Sequence, residues 1–144
     1  MNPGGNETAI LHLDEGKWLA ASRVGEDANL DLLSSDDDGY TWKSHGAITE
    51  PNEVTGHLLR LKDGRVLLSY GDRNKGRFGV KARFSEDKGK TWGEPFRIAN
   101  VPAWDCGYPS SIQRADGKIV TAFYSMHPER GDYQYQMDVA IWQP

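Results

Sequence analysis

Eight residues recur almost unchanged fifty positions apart: Ser35-Asp36-Asp37-Asp38-Gly39-Tyr40-Thr41-Trp42 and Ser85-Glu86-Asp87-Lys88-Gly89-Lys90-Thr91-Trp92. A second mark, an acidic residue followed by Gly and a basic residue, stands at Glu15-Gly16-Lys17, Asp63-Gly64-Arg65 and Asp116-Gly117-Lys118. Its glycines are 48 and 53 residues apart, in phase with the first mark. Self-similarity at such a period belongs to propellers and solenoids, whose units bury their faces only against one another. Asp-Gly between apolar runs is a strong hairpin signal.

Each period reads as four short strands. They are expected near 8–13, 17–23, 29–34 and 41–48, then 56–61, 65–70, 78–84 and 91–98, then 109–114, 118–124 and 133–142, with no fourth strand in the last repeat. Four-stranded meanders repeated about an axis are propeller blades. The expected fold is all-β, one domain over 1–144, with blades at about 7–50, 55–100 and 106–144, the last incomplete. Pro102, Gly107 and Pro109 punctuate the passage into the third repeat. No stretch reads as a helix or as a linker.

Sixteen Gly and five Trp in 144 residues suit many turns and flat side chains packed between layers. The net charge of −4, without a basic stripe, argues against nucleic acid as a partner. Cys106 is the one cysteine, so no disulfide can form within the chain. No apolar run is long enough for a membrane span, and residues 1–8 are too polar for a signal peptide. The compartment stays open, since a longer parent would carry any signal elsewhere.

The run Asp36-Asp37-Asp38-Gly39 invites comparison with a calcium loop, but the bidentate Glu that closes such a loop is missing, and Lys88 and Lys90 intrude on the second copy. The expected role is structural, with no metal and no cofactor. Asp37 and Asp87 should accept backbone N–H bonds within their turns, as Asx residues do. Gly39 and Gly89 should supply positive φ, Trp42 and Trp92 should pack in the blade core, and Ser35 and Ser85 open the two turns.

Topology then decides which residues meet. The hairpins and acidic turns share one face of the ring, so the starts of the first strands and the ends of the second strands share the other. Nine residues before the hairpin glycines stand Glu7, Thr55 and Tyr108. Arg23 ends a strand beside Glu7; Arg77 precedes the second acidic turn by eight residues, with Arg73 nearby. A guanidinium fork grips a carboxylate bidentately. A phenol becomes a competent nucleophile when a neighbouring carboxylate takes its proton.

The repeated Ser-x-Asp-x-Gly-x-Thr-Trp resembles the Asp box of the sialidase (neuraminidase) superfamily. The whole chain looks like the C-terminal half of such a propeller, half of a six-bladed ring. Asn6-Glu7-Thr8-Ala9 through Arg23 is similar to the stretch with the family's catalytic Glu and second arginine. Arg77-Phe78-Gly79-Val80 resembles that of the third arginine, and Gly107-Tyr108-Pro109-Ser110-Ser111 that of the nucleophilic Tyr. The resemblance implies Tyr108 as nucleophile, Glu7 as its base, and Arg23 with Arg77 as carboxylate clamps, Arg73 being the fallback because Phe78 is bulky for a sugar pocket. Sialidases are glycosidases that use a Tyr nucleophile. A retaining exo-glycosidase for terminal sialic or related acid sugars is implied if the missing half is supplied, for the family's acid/base Asp and first arginine lie in N-terminal blades that this chain lacks.

Plainer readings stand beside these. Glu7 also reads as a solvated residue near a terminus, Tyr108 as a packing aromatic, and Arg23 and Arg77 as partners of surface acids. His12 and His57 read as satisfied core residues, Cys106 as inert, and Trp18, Trp104 and Trp142 as packing. Three blades alone would expose two apolar faces, so a homodimer closing a six-bladed ring, or a fragment of a longer product, is expected. The alternative function is a non-catalytic glycan- or protein-binding propeller in that dimeric form.

Overall fold

The computed structural model describes residues 5–25, 28–130 and 134–144. The first sheet is a meander of β1 (Asn6–Asp14), β2 (Lys17–Val24), β3 (Asn29–Ser35) and β4 (Lys43–Ala47). The second repeats it with β5 (Glu53–Arg60), β6 (Val66–Asp72), β7 (Gly79–Ser85) and β8 (Phe96–Asn100). The third has β9 (Cys106–Gln113), β10 (Ile119–Met126) and β11 (Tyr135–Trp142). All pairings are antiparallel. The chain is three blades of a β-propeller, the third with three strands among the described residues.

Two details depart from the expected strands. β8 begins four residues beyond Trp92, whereas β4 begins directly after Trp42. The cause lies in Gly93-Glu94-Pro95: the Gly93 N–H goes to the Phe84 carbonyl at 2.9 Å, and Pro95 has no N–H to enter the ladder. Pairing therefore starts at Phe96, opposite Ala82. A single 3₁₀ turn, Pro128–Arg130, follows β10; residue 133, the expected start of the last strand, lies outside the described residues.

The core lies between blades. Leu13, Leu19, Ala21, Leu30 and Leu32 of the first blade pack with Leu58, Val66, Leu68 and Tyr70 of the second. Leu61, Leu67 and Ala82 of the second meet Ile119 of the third. A fully buried Leu or Val of this kind contributes about 1.5–3 kcal/mol. The middle blade is covered on both faces, so all seven residues of β6 are buried. β11 alternates between exposed and half-buried residues, as a strand with one open face should. Trp92 packs against the cluster that the first and second blades share.

The two acidic turns share one set of Ser, Asp and Trp side-chain hydrogen bonds. Asp37 Oδ1 accepts from the Thr41 N–H (2.8 Å) and the Ser35 hydroxyl (2.8 Å), and Oδ2 from the Thr41 hydroxyl (2.6 Å). Asp87 does the same with Thr91 (2.8 and 2.6 Å) and Ser85 (2.9 Å). The Ser oxygens accept from Gly39 and Gly89 N–H at 2.9 and 2.7 Å. Each Trp indole closes its turn on the Gly carbonyl. Gly89, at φ 88°, also packs so near Leu19 that a Cβ would lie 2.4 Å from its side chain. These bonds hold both carboxyls below the ordinary 3.8, Asp87 at about 2, the Thr91 hydroxyl being the largest cause there. The Asp38 N–H reaches the Gly16 carbonyl (3.0 Å) and Lys88 pairs with Asp14 (2.6 Å), so turns and hairpins share one face.

Candidate active site

The opposite face gathers the start of β1, the end of β2, the start of β9 and the loop after β6. Glu7 is the hub. Its Oε2 accepts from Arg23 Nη1 at 2.8 Å, and its Oε1 accepts from the Tyr108 hydroxyl. Both members of the Arg23–Glu7 pair are about 30% exposed, open to a ligand yet partly shielded. Burial would raise the Glu7 carboxyl, but hydrogen bonds from Arg23 and Tyr108 and the charges of Arg23 and Arg73 outweigh it and hold it below 4.5. The Tyr108 phenol is raised, chiefly by its hydrogen bond to Glu7 and then by burial. The resting pair is thus a carboxylate receiving a phenol proton.

The backbone explains how these side chains reach the mouth. Glu7, Thr55 and Tyr108 have φ of 36°, 60° and 46°, a region that bulky and β-branched residues rarely enter. Each lies at a break in its pairing register: between Asn6 and Thr8, between Val54 and His57, and opposite the break between Ala122 and Tyr124. One bulge, repeated in each innermost strand, re-aims one side chain per blade. The hairpin count places the three in register, but their strain leaves no mark in the sequence. A cavity of about 240 Å³ is lined by Glu7, Thr8, Ala9, Thr55, Gly56, Tyr108 and Pro109.

The remaining candidates divide. Arg73 donates to the Cys106 carbonyl (3.0 Å) and the Tyr124 hydroxyl (2.8 Å), with Asp105 at 3.7 Å. Its charge is felt by Glu7 and Tyr108 alike. With Arg23, Ala28, Asn52, Val54 and Trp104 it lines a second cavity of about 270 Å³. Arg77 instead donates to Glu50 at 2.8 Å on an exposed loop and lines neither cavity. Sequence reasoning did not foresee Glu50 as its partner, nor Tyr124 and Asp105 beside Arg73. Trp104, 55% exposed, faces the mouth.

Other side chains sort simply. His12 is exposed and lies against Trp18 (ring centroids 4.5 Å apart) rather than in a core. His57 is half-buried, accepts the Ser111 N–H at 3.3 Å, and is held neutral by burial. Cys106 is fully buried, and burial raises its thiol. Trp142 packs on Phe84 and Phe96. Among the described residues no three His, Cys, Asp or Glu are grouped to hold a metal ion, and no helix is long and apolar enough to cross a membrane.

Residues 2–121 match the BNR repeat-like domain family. The chain belongs to that family. No curated protein sequence matches this BNR repeat-like chain. Solved structures do. A protein of unknown function from Dyadobacter fermentans DSM 18053 superposes with a TM-score of 0.82 at 24% identity, covering 99% of this chain and 40% of that one. An α-L-arabinanase of Penicillium chrysogenum, complexed with arabinobiose, is similar at a TM-score of 0.69 and 16% identity, covering 99% and 47%. The GH93 α-L-arabinofuranosidase of Fusarium graminearum, also with arabinobiose, gives 0.68 and 16%, covering 99% and 46%. At such identities the likeness is one of fold. The BNR repeat-like chain spans less than half the length of each of these proteins.

Proposed function

We propose that this chain is the part of a glycoside-hydrolase propeller that carries the nucleophile and its base, acting with retention on terminal sialic or related acid sugars. The observation that carries the reading is the Tyr108–Glu7–Arg23 chain of hydrogen bonds at the mouth. The anomeric carbon of such a sugar bears its own carboxylate, which repels an anionic attacking group. A phenol that surrenders its proton only as it attacks avoids that repulsion. The Tyr108 oxygen bonds to the anomeric carbon, its proton passes to Glu7 Oε1, and the aglycone oxygen departs with the electrons of the broken bond. Water then attacks the anomeric carbon, Glu7 returns its proton to the departing Tyr108 oxygen, and the water's own proton passes to the conjugate base of the acid that protonates the aglycone.

Arg23 and Arg73 are the proposed carboxylate clamp, since they line one cavity together, whereas Arg77 lines neither cavity at the mouth. The cavity beside Tyr108 offers Glu7 as its one carboxylate, so a second acid, from blades beyond these three, would protonate the aglycone. The two acidic turns are read as Asp boxes with a structural role. Two copies of the chain, joined as a homodimer, would close a six-bladed ring. The single carboxylate also favours a second reading, a non-catalytic glycan-binding propeller in that dimeric form.

A fluorogenic sialoside assay beside Tyr108→Phe separates the readings. Turnover that falls to background in Tyr108→Phe is expected; turnover untouched by it removes the nucleophile. Sialic acid bound without turnover in the parent chain favours the second reading.

A further inference from the structure

Thr55 is the third member of the repeated bulge, yet it does not present its side chain to solvent: it is 3% exposed. Its hydroxyl donates to the Val54 carbonyl at 2.6 Å and accepts the Tyr108 N–H at 3.0 Å. That N–H needs such a partner. Tyr108 sits at the break in the β9–β10 register, where the ladder skips a residue, and an unpaired backbone donor there is costly. Thr55 is therefore the acceptor that the neighbouring strand does not supply.

The strands approach so closely that only glycine fits around this contact. A Cβ on Gly107 would lie 2.7 Å from Thr55 Oγ1, and one on Gly71 would lie 2.9 Å from the Gly107 Cα. A β-branched residue at φ 60° is strained. Glycine would occupy position 55 at less cost, so the hydroxyl is what justifies threonine. We propose that Thr55 is a positioning residue: by bonding the Tyr108 backbone across the second and third blades, it aims the phenol at Glu7. This rests on the reading of Tyr108 as nucleophile, and it predicts a geometry that can be measured without turnover.

The test uses the full chain with Thr55→Ser, Thr55→Val and Thr55→Gly. The Tyr108 phenol is titrated by ultraviolet absorbance, as the difference from the same variant carrying Tyr108→Phe. Thr55→Val and Thr55→Gly are expected to move that titration down toward the ordinary 10.0, because the Glu7 contact loosens; Thr55→Ser keeps the parental value. On a fluorogenic sialoside, Val and Gly lower kcat by about 10–100-fold, the scale set by misplacing a reacting group, with KM within about twofold. Thr55→Gly, relieved of strain, melts no lower than Thr55→Val, so activity does not follow stability. Parental titration in both Val and Gly overturns the inference. If Tyr108→Phe keeps full turnover, the nucleophile reading fails separately, while the titration still decides the role of Thr55.

Discussion

Glu7 sits between a guanidinium and a phenol, and that position sets both its charge and its chemistry. Its carboxyl is lowered, so the ionised form is the one that the fold prefers. A base must be ionised to accept the Tyr108 proton. The acid limb of kcat/KM is therefore expected below pH 4.5, with activity lost as pH falls through the Glu7 titration. Glu7→Gln is expected to remove that limb and to lower kcat by about 10²–10⁴-fold, the range for a lost general base. The same change should bring the Tyr108 phenol down toward its ordinary range, since the hydrogen bond to Glu7 is the first cause of its rise. Steady-state pH profiles of parent and variant check both points. At the clamp, Arg73→Ala should raise KM for an acid sugar more than Arg77→Ala does, because Arg73 lines a cavity with Arg23 whereas Arg77 lines neither cavity at the mouth.

At the scale of elements, the acidic turns and the bulges make opposite uses of local structure. Each turn satisfies itself: Ser85 is 1% exposed, and its oxygen takes the Gly89 N–H. Ser85→Ala would leave that donor buried and unpaired, at a cost of about 1–3 kcal/mol, and more than Ser35→Ala, whose Gly39 N–H is only part-buried. Urea unfolding with an unchanged slope measures the difference. The lowered Asp87 carboxyl stabilises the folded state above its ordinary 3.8, and that stability is lost as pH falls through about 2. These turns were legible because the partners of Ser35 and Asp37, and of Ser85 and Asp87, lie within the same eight residues. The hairpin glycines likewise gave the register of Glu7, Thr55 and Tyr108 by counting. The positive φ at those residues was not legible, since it follows from contacts between strands 53 residues apart in sequence, such as Thr55 with Tyr108. The setting of Arg73 was not legible for the same reason: Cys106, Tyr124 and Asp105 hold it from the next blade. The late start of β8 needed only Pro95, a residue visible from the outset but given no weight against the repeat.

At the scale of the whole molecule, the middle blade shows what the outer faces are shaped to meet. Counted from the hairpin glycines and across the ladders, Ile112, Val120, Val139 and Ile141 of the third blade are equivalent to Leu59, Leu67, Ala82 and Phe84. Those four pack at the boundary with the third blade, whereas Ile112, Val139 and Ile141 are 61%, 57% and 57% exposed. On the other side, Ile10, Ala20 and Trp42 are equivalent to Leu58, Leu68 and Trp92, which pack against the first blade; Ile10 is 60% exposed. Each outer face thus has the register of a blade interface without a blade on it. A two-fold pair of chains would set the first blade of each against the third blade of the other, making two identical contacts. Ile10→Asp and Val139→Asp each place a charge on one of the two faces, so each variant alone spoils both contacts of its dimer. Mixed, they can form one undamaged contact, from the third blade of the Ile10→Asp chain to the first blade of the Val139→Asp chain. Light scattering is expected to give twice the 16.1 kDa chain mass for the parent, the single mass for each variant, and a partial return of the doubled mass on mixing. A parent that unfolds cooperatively and runs at the single mass removes this assembly, and a mixture that stays single removes the head-to-tail pairing of faces.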